Sequence, residues 1–332
     1  MASSPSVNVI SKDYAYGLGQ SRSLVVSVLK GAGLRCRVIN ARYYDEMEKP
    51  ALGHPRVIQV KRFWKKIRYQ SWRRRDFNIF LENIYPMLQP LAMRQLFIPN
   101  QEWMLERDLI HLQKAELVIC KTRHADEIFS RLGFRTAFSS FTSRDIRLPR
   151  TGPMRRDFLC LLSKRNSAQK RVLALWARHP EWPQLTIVGK SPVMDFTPPN
   201  VRLIQHFLSD QELMRLQNDH QFHLCVTPAE GFGHKLNEGM ACGAIVIATD
   251  GPPMNELITP ERGLLVKYES CQPQGLGTAF QFDAADLERT IEKCLRLTAE
   301  EIERLSVNAR AWFEENDRYF RDRFPQIVRD LG

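Results

Sequence analysis

The sequence predicts an α/β protein made of two successive parallel-sheet domains, and three observations point to it. Short apolar runs alternate with amphipathic helical patterns along most of the chain. That rhythm breaks once, at the polar, Arg- and Pro-containing stretch SRDIRLPRTGPMRR (143–156), and then restarts. The length, 332 residues at 43% hydrophobic content, suits two domains of roughly 150 residues that each bury a core.

In the first half, VNVIS reads as a strand, YGLGQS as a turn, and SRSLVVSVLKGAG as a helix stopped by glycine; RCRVINARY follows as a second strand. DFNIFLEN and LAMRQLFIPN are further strands, RDLIHLQKAELVICKT reads as helix then strand, and HADEIFSRL is a helix stopped by Gly133. After the break, FLCLLS is a strand, AQKRVLALWARHP a helix, LTIVG a strand and DQELMRLQNDH a helix. HLCVTP is then a strand, HKLNEGMAC a helix and AIVIATD a strand, and two long helices end the chain.

No run approaches the 18 or so uninterrupted apolar residues of a membrane span. The opening MASSPSVNVI lacks a basic then apolar leader pattern, so no secretory signal is expected. Seven cysteines, never in a CxxC pair and mostly inside apolar runs, read as reduced buried thiols of a cytosolic protein and argue against a zinc site.

The net charge of +11 is localised. Residues 1–150 carry 26 Lys and Arg against 13 Asp and Glu, so the remaining residues, with 22 against 24, are slightly acidic. The densest part is VKRFWKKIRYQSWRRR (60–75), where Lys61, Arg62, Lys65, Lys66, Arg68 and Arg73 to Arg75 interleave with Phe63, Trp64, Ile67, Tyr69 and Trp72. It suits an anionic surface such as bilayer headgroups, nucleic acid or an acidic glycan; equally, it suits a solvated basic helix with its aromatics turned inward. Nucleic acid is the least favoured of these partners. It would leave the chemistry of the acidic half unexplained.

That chemistry lies in TPAEGFGHKLNEGMACGAIVIATDGPPMNE (227–256). Glu230 follows a buried strand, at the edge where open α/β sheets bind ligands. Gly231 and Gly233 bracket Phe232 in a turn where backbone can approach a ligand without a Cβ in the way. A helix starting near His234 turns its free N–H groups and positive dipole end towards the same edge. Glu238 sits about one turn further on. Two carboxylates flanking a glycine turn and a helix N-terminus make a clamp for hydroxyls and an anion.

This segment resembles the donor-site signature of the retaining glycosyltransferase family 4: a Glu, seven residues and a second Glu within an EGFG…E.MACG.PVIA.D pattern. It is carried here by Glu230, Gly231, Phe232, Gly233, Glu238, Met240 to Gly243, Val246 to Ala248 and Asp250. The resemblance implies the GT-B fold, two Rossmann-like parallel-sheet domains facing a central cleft with a C-terminal helix crossing back. The domains would be an acceptor domain (1–150), a nucleotide-sugar donor domain (151–310) and the returning helix (311–332). It gives Glu230 the transferred sugar's hydroxyls and Glu238 the ribose, with the N–H groups of His234, Lys235 and Leu236 on sugar and diphosphate. Where the family often has Leu-Pro after the second glycine, this chain has His234 and Lys235, and Lys235 either adds charge near the donor or points to solvent.

The resemblance also implies fixed cations for the departing diphosphate. FLCLLSKRNSAQKR supplies Lys164 or Arg165, then Lys170, and Arg165 is favoured because its fork grips two oxygens. Gly189, in LTIVGKSP, is expected near the nucleotide, and the base against the segment around 204–210. Gly17 and Gly19 resemble the family's glycine loop after its first strand. Asn100, Gln101 and Glu102 stand where the family has a cleft loop that often carries a catalytic His, and His124 is another acceptor-side candidate. The chain contains no Asp-x-Asp pair, so metal-independent transfer is expected, with no bound metal and no cofactor beyond the nucleotide-sugar co-substrate. The expected acceptor is a glycan or lipid-linked glycan of bacterial surface polysaccharide assembly, handled by a cytoplasmic protein able to sit on the inner membrane face. The rivals are an inactive nucleotide-binding relative of the same fold and a basic nucleic-acid-binding protein.

Overall fold

The computed structural model describes residues 4–12, 17–41, 74–150, 152–162, 169–189 and 197–332. The chain divides into two compact units, one of residues 1–141 with 319–332 and the other of residues 142–318. Most of the basic–aromatic stretch, residues 60–73, lies outside the described residues, as do Lys164 and Arg165.

The first unit holds a six-stranded sheet of β1 (Ser6–Ser11), β2 (Arg35–Asn40), β3 (Arg75–Leu81), β4 (Ala92–Ile98), β5 (Leu117–Cys120) and β6 (Thr136–Phe138). Its order is β2-β1-β3-β4-β5-β6, and every pairing is parallel. Central strands read as near-continuous apolar runs because helices cover both faces of such a sheet: VNVI in β1 and FNIFL in β3 are buried throughout. The exception is one buried amide ladder. Asn8 of β1 donates to Asn78 of β3 (2.8 Å), which donates to Gln95 of β4 (2.8 Å). Parallel register places the three side by side, so each amide inside the sheet has a partner.

Helix α1 (Gly17–Gly31) begins earlier than the expected turn allows, so Gly17 and Gly19 sit in its first turn rather than in a preceding loop. Helix α2 (Arg123–Arg131) is capped by Thr122, whose hydroxyl accepts from the Ala125 N–H at 3.1 Å. The helix expected over RDLIHLQK shortens to one turn, Leu109–Leu112, preceded by 3-10 turns at Gln101–Trp103 and Glu106–Asp108.

The second unit holds β7 (Arg155–Leu161), β8 (Leu185–Val188), β9 (Val201–Ile204), β10 (His220–Cys225), β11 (Ile245–Thr249) and β12 (Gly263–Val266). The order is β12-β11-β10-β7-β8-β9, again wholly parallel. Helices α3 (Gln169–Arg178), α4 (Asp210–Asp219) and α5 (His234–Cys242) lie between these strands, and α6 (Ala284–Arg296) comes after the last of them. Phe158 lies at 4.9 Å from the Phe222 ring and 5.3 Å from the Trp176 ring, which locks β7, β10 and α3 into one core. A hairpin of β13 (Tyr268–Gln274) and β14 (Gly277–Phe282), not foreseen from the sequence, follows β12. Phe280 of β14 lies over Gly251 so closely that a Cβ there would meet the ring at 2.5 Å.

The last helix, α7 (Ala299–Asp330), runs through 32 residues. Up to residue 318 it belongs to the second unit, where Arg310 donates to both carboxylate oxygens of Asp145 (2.7 Å each) and to the Ala241 carbonyl (2.8 Å). From 319 it belongs to the first, where Phe320 meets Phe141 at 4.8 Å.

Candidate functional site

In each sheet the strand order reverses direction once. In the second unit, β8 and β9 extend one way from β7 while β10 to β12 extend the other, so the reversal falls between β7 and β10. At such a point the connections leave on opposite faces and open a crevice beyond the strands' carboxyl ends, the standard ligand position of open α/β sheets. The glycine turn with Glu230 follows β10, and Lys170, of the cations expected for the diphosphate the one among the described residues, lies in the first turn of the helix after β7.

The turn has the geometry that its glycines suggest. Gly233, the residue before α5, holds φ +98° and ψ 61°, in the left-handed region that side chains disfavour. A Cβ there would lie 3.1 Å from Leu236 Cδ1 and 3.8 Å from Glu230 Cγ. Phe232 is buried and Glu230 half-buried. Gly233 has no side chain with which to cap α5, and the positive end of the helix opens at this turn. Gly243, at φ +72°, closes the other end of α5.

Glu238 is buried in the third position beyond Lys235 on α5, and Gln217 of α4, itself 2% exposed, donates to its carboxylate at 3.2 Å. Gln217 is fixed in turn from β10: the His223 Nε2–H donates to the Gln217 carbonyl at 2.9 Å. Burial holds His223 neutral, with its pKa pushed down to about 3. The Cys225 thiol, ending β10, is pushed far up, first by burial, then by Cys160, with the negative charges of Glu230 and Glu238 adding. Both carboxylates thus act on the same strand end.

Three cationic or polar groups on or against α5 have definite partners. Lys235 does not point to solvent: its Nζ donates to the Leu161 carbonyl at 2.7 Å, the last residue of β7, and so spans the reversal point. The His234 ring meets the buried Ser143 hydroxyl at 2.8 Å through Nδ1. Arg150 donates to the Cys242 carbonyl at the helix C-terminus, where a cation is favoured. Lys170 is exposed in the first turn of α3. Gly189, at φ +132°, ends β8, and a Cβ there would lie 2.9 Å from Leu162 Cβ, so only glycine lets β8 and the chain after β7 approach there. In the segment after β9, Phe207 is 87% exposed at the same sheet edge.

In the first unit the acceptor-side candidates separate. Gln101 and Glu102 are buried, at 1% and 5% exposure. Asn100 donates through Nδ2 to Glu82 at 2.6 Å and accepts from the Lys121 ammonium. His124 lies in the first turn of α2, and burial lowers its pKa against the pull of Glu127. Sequence reasoning missed Glu82 and Lys121. Neither carries a local signal, because each gains its neighbours only when β3, β4 and β5 align. Among the described residues, no group of three His, Cys, Asp or Glu side chains could hold a metal, and no helix is long and apolar enough to cross a membrane.

Residues 166–281 match the model of a family described as Glycosyl transferases group 1. That span takes in α3, the glycine turn and both carboxylates and ends within β14. A comparison with curated proteins finds no match. Among solved structures, the chain is similar to sucrose-phosphate synthase from Thermosynechococcus elongatus, with 16% identity, TM-score 0.71, and 98% of this chain and 99% of that one covered. It is also similar to the trehalose-6-phosphate synthase OtsA, with 12% identity, TM-score 0.68 and 98% of each chain covered. A third is Anabaena Alr3699/HepE in complex with UDP and glucose, with 13% identity, TM-score 0.69, and 98% and 99% covered. At these identities the likeness is one of fold, and the fold is GT-B.

Proposed function

We propose that the chain is a retaining glycosyltransferase that takes a nucleotide-sugar donor at the β7/β10 reversal and transfers its sugar to a glycan or lipid-linked acceptor. One observation carries the reading. A left-handed glycine at φ +98° opens the N-terminus of α5 between the half-buried Glu230 and the buried, Gln217-bonded Glu238. The positive end of a helix suits a diphosphate, and a fixed carboxylate accepts ribose or sugar hydroxyls at little reorganisation cost. The group 1 glycosyltransferase match over 166–281 supports it, covering these residues and Lys170.

In the reaction, Glu230 holds hydroxyls of the transferred sugar and Glu238 the ribose. The bond from the anomeric carbon to the diphosphate oxygen breaks while the acceptor oxygen bonds to the same face of that carbon. The acceptor's proton passes to the departing phosphate. Arg165 or Lys164, with Lys170, stabilises the charge that develops there, so that no metal is required. Lys235 adds a further positive charge at the end of β7. The first unit supplies the acceptor side, and the basic–aromatic stretch 60–75 favours an acceptor presented at an anionic membrane surface, as in surface polysaccharide assembly.

A thermal-shift screen with UDP, GDP, dTDP, ADP and CMP tests the reading. UDP comes first because the Anabaena structure binds it. One nucleotide should raise the unfolding temperature of the wild type, and Glu238→Ala should abolish that rise. A screen in which none shifts the wild type overturns the assignment.

A further inference from the structure

Helix α4 ends against β10, and its last turn is held from two sides. On one side, two histidines of β10 take successive carbonyls of that turn. The His220 Nδ1–H donates to the Leu216 carbonyl at 2.7 Å while its Nε2 accepts from the Thr186 hydroxyl at 3.0 Å. The His223 Nε2–H donates to the Gln217 carbonyl at 2.9 Å. Burial lowers the pKa of both rings, so each donates as a neutral imidazole. On the other side lies the chain before β7: Asn218 donates to the Ile146 carbonyl at 2.8 Å and accepts from the Leu148 N–H at 2.9 Å. The last carbonyls of a helix are commonly left to water. Here protein groups take them, and Gln217 is fixed between two anchored neighbours.

Gln217 is 2% exposed, and its amide donates to Glu238 Oε2 at 3.2 Å. The His223 ring sets the other half of this contact. A Cβ on Gly239, the residue after Glu238, would meet His223 Nδ1 at 2.9 Å, so the ring that bonds Gln217 also packs against the turn that carries Glu238. One buried side chain thus braces both the donor and the acceptor of a single hydrogen bond. Satisfying a buried carboxylate requires donors, but it does not require that they be held so firmly. What the bracing adds is orientation: a fixed N–H on Oε2 sets the plane in which the carboxylate accepts.

We propose that Gln217 is a positioning residue that makes Glu238 selective for a ribose carrying both vicinal hydroxyls. The site then takes ribonucleoside diphosphates and discriminates against their 2′-deoxy counterparts, dTDP included. Taking the ribose as the partner of Glu238 rests on the donor-site reading; the bracing of Gln217 does not. Two cis hydroxyls donate together to one carboxylate only when its plane suits them. With that plane fixed, a deoxyribose leaves the carboxylate one donor short in a buried site, a loss that discriminates strongly. With the plane free, the carboxylate turns to the hydroxyl that remains, and most of the difference disappears.

Titration calorimetry on the full chain tests this, with UDP, GDP, ADP and CDP each set against its 2′-deoxy counterpart, and with dTDP. In the wild type the ribonucleotide that binds should do so about tenfold or more tightly than its deoxy form. Gln217→Met keeps the side-chain length and loses the amide; Gln217→Asn keeps the amide and draws it back by one methylene. Each should bring the ratio to about threefold or less by weakening the ribonucleotide, with the deoxynucleotide held within about twofold of the wild type. If one variant does not fold, the other carries the test. A wild-type ratio near one, dTDP binding as tightly as the ribonucleotides, an unchanged ratio in a folded variant, or an equal loss of both nucleotides overturns the proposal and leaves the donor site standing. If no nucleotide binds the wild type, the donor reading falls and this proposal with it.

Discussion

Gly233 and Gly243 stand at opposite ends of α5, both in the left-handed region, and replacing each by alanine separates the fold's need for a glycine from the ligand's. For Gly233→Ala the backbone conformation costs about 1–2 kcal/mol. The new Cβ also sits 3.1 Å from Leu236 Cδ1, and because Leu236 is fully buried its movement adds a fraction more. The total is about 2 kcal/mol. For Gly243→Ala the same backbone penalty applies, and the Cβ would lie 2.8 Å from the Ser306 hydroxyl, which must rotate away, so the total is again about 2 kcal/mol. In a unit of this size, each change should lower the unfolding temperature by about 4–8 °C in calorimetry. Nucleotide affinity, measured by titration calorimetry well below unfolding, should differ sharply. Gly233→Ala moves the N–H groups that face the ligand and should weaken binding about tenfold or more, whereas Gly243→Ala should stay within about twofold. Equal affinity in both variants would refute the assignment of the turn to the donor. An unchanged melting temperature in Gly233→Ala would refute the strain on which the geometry depends.

Gly239→Ala, next to Glu238, should destabilise by about 1–2 kcal/mol despite alanine's higher helix propensity, because its Cβ would meet Val246 Cγ2 at 2.7 Å and His223 Nδ1 at 2.9 Å. Urea denaturation of Gly239→Ala, His223→Ala and the double variant should show non-additivity of at least about 0.5 kcal/mol; strict additivity would mean that the ring does not set the residue type at 239. His179 supplies a pH dependence. It stacks on Trp182 at 4.1 Å, and although burial opposes its charge, hydrogen bonds to Glu181 and Glu288 at 2.9 Å raise its pKa above the ordinary value. A raised folded pKa means the charged ring's contribution is fully present below the unfolded value of about 6.5 and is lost as pH rises through the folded one. The gap in urea midpoint between wild type and Glu288→Gln should therefore be wider near about pH 5.5 than near about pH 9, and a constant gap would show that only the Arg178–Glu288 pair is being measured.

Much of the second unit could be read from the sequence because its signals are local. HKLNEGMAC forms a helix over His234–Cys242, and the glycine after it stops that helix at φ +72°. IVIAT and HLC become fully buried strands, as uninterrupted apolar runs in a covered parallel sheet must. The one-turn fate of RDLIHLQK is a different case. Its apolar spacing suits a helix, but Leu112 alone is buried on it, so little tertiary packing extends the first turn. VRLI of β9 alternates weakly and is only four residues long, and the hairpin at 268–282 is exposed along most of β13, so neither shows the period-2 contrast that marks a strand.

The partners of the candidate sites were hidden for a topological reason. Glu238 is recognisable in its motif, but Gln217, 21 residues earlier, is an ordinary helix residue until α4 and α5 flank the same end of β10. Glu82, Asn100 and Lys121 are separated by 18 and 21 residues and adjoin only because β3, β4 and β5 are consecutive neighbours. A parallel sheet makes this general. Each strand is followed by a crossover, so residues after successive strands meet at one edge while their sequence neighbours are carried to the other. Motif reading succeeds where one strand-to-helix connection contains the chemistry, as at 230–238. It fails where the chemistry is assembled from several connections, as around Glu82. In such a sheet the strand order must be known before the polar residues just past each strand can be grouped, and the reversal point then says which of those groups has a crevice to act in.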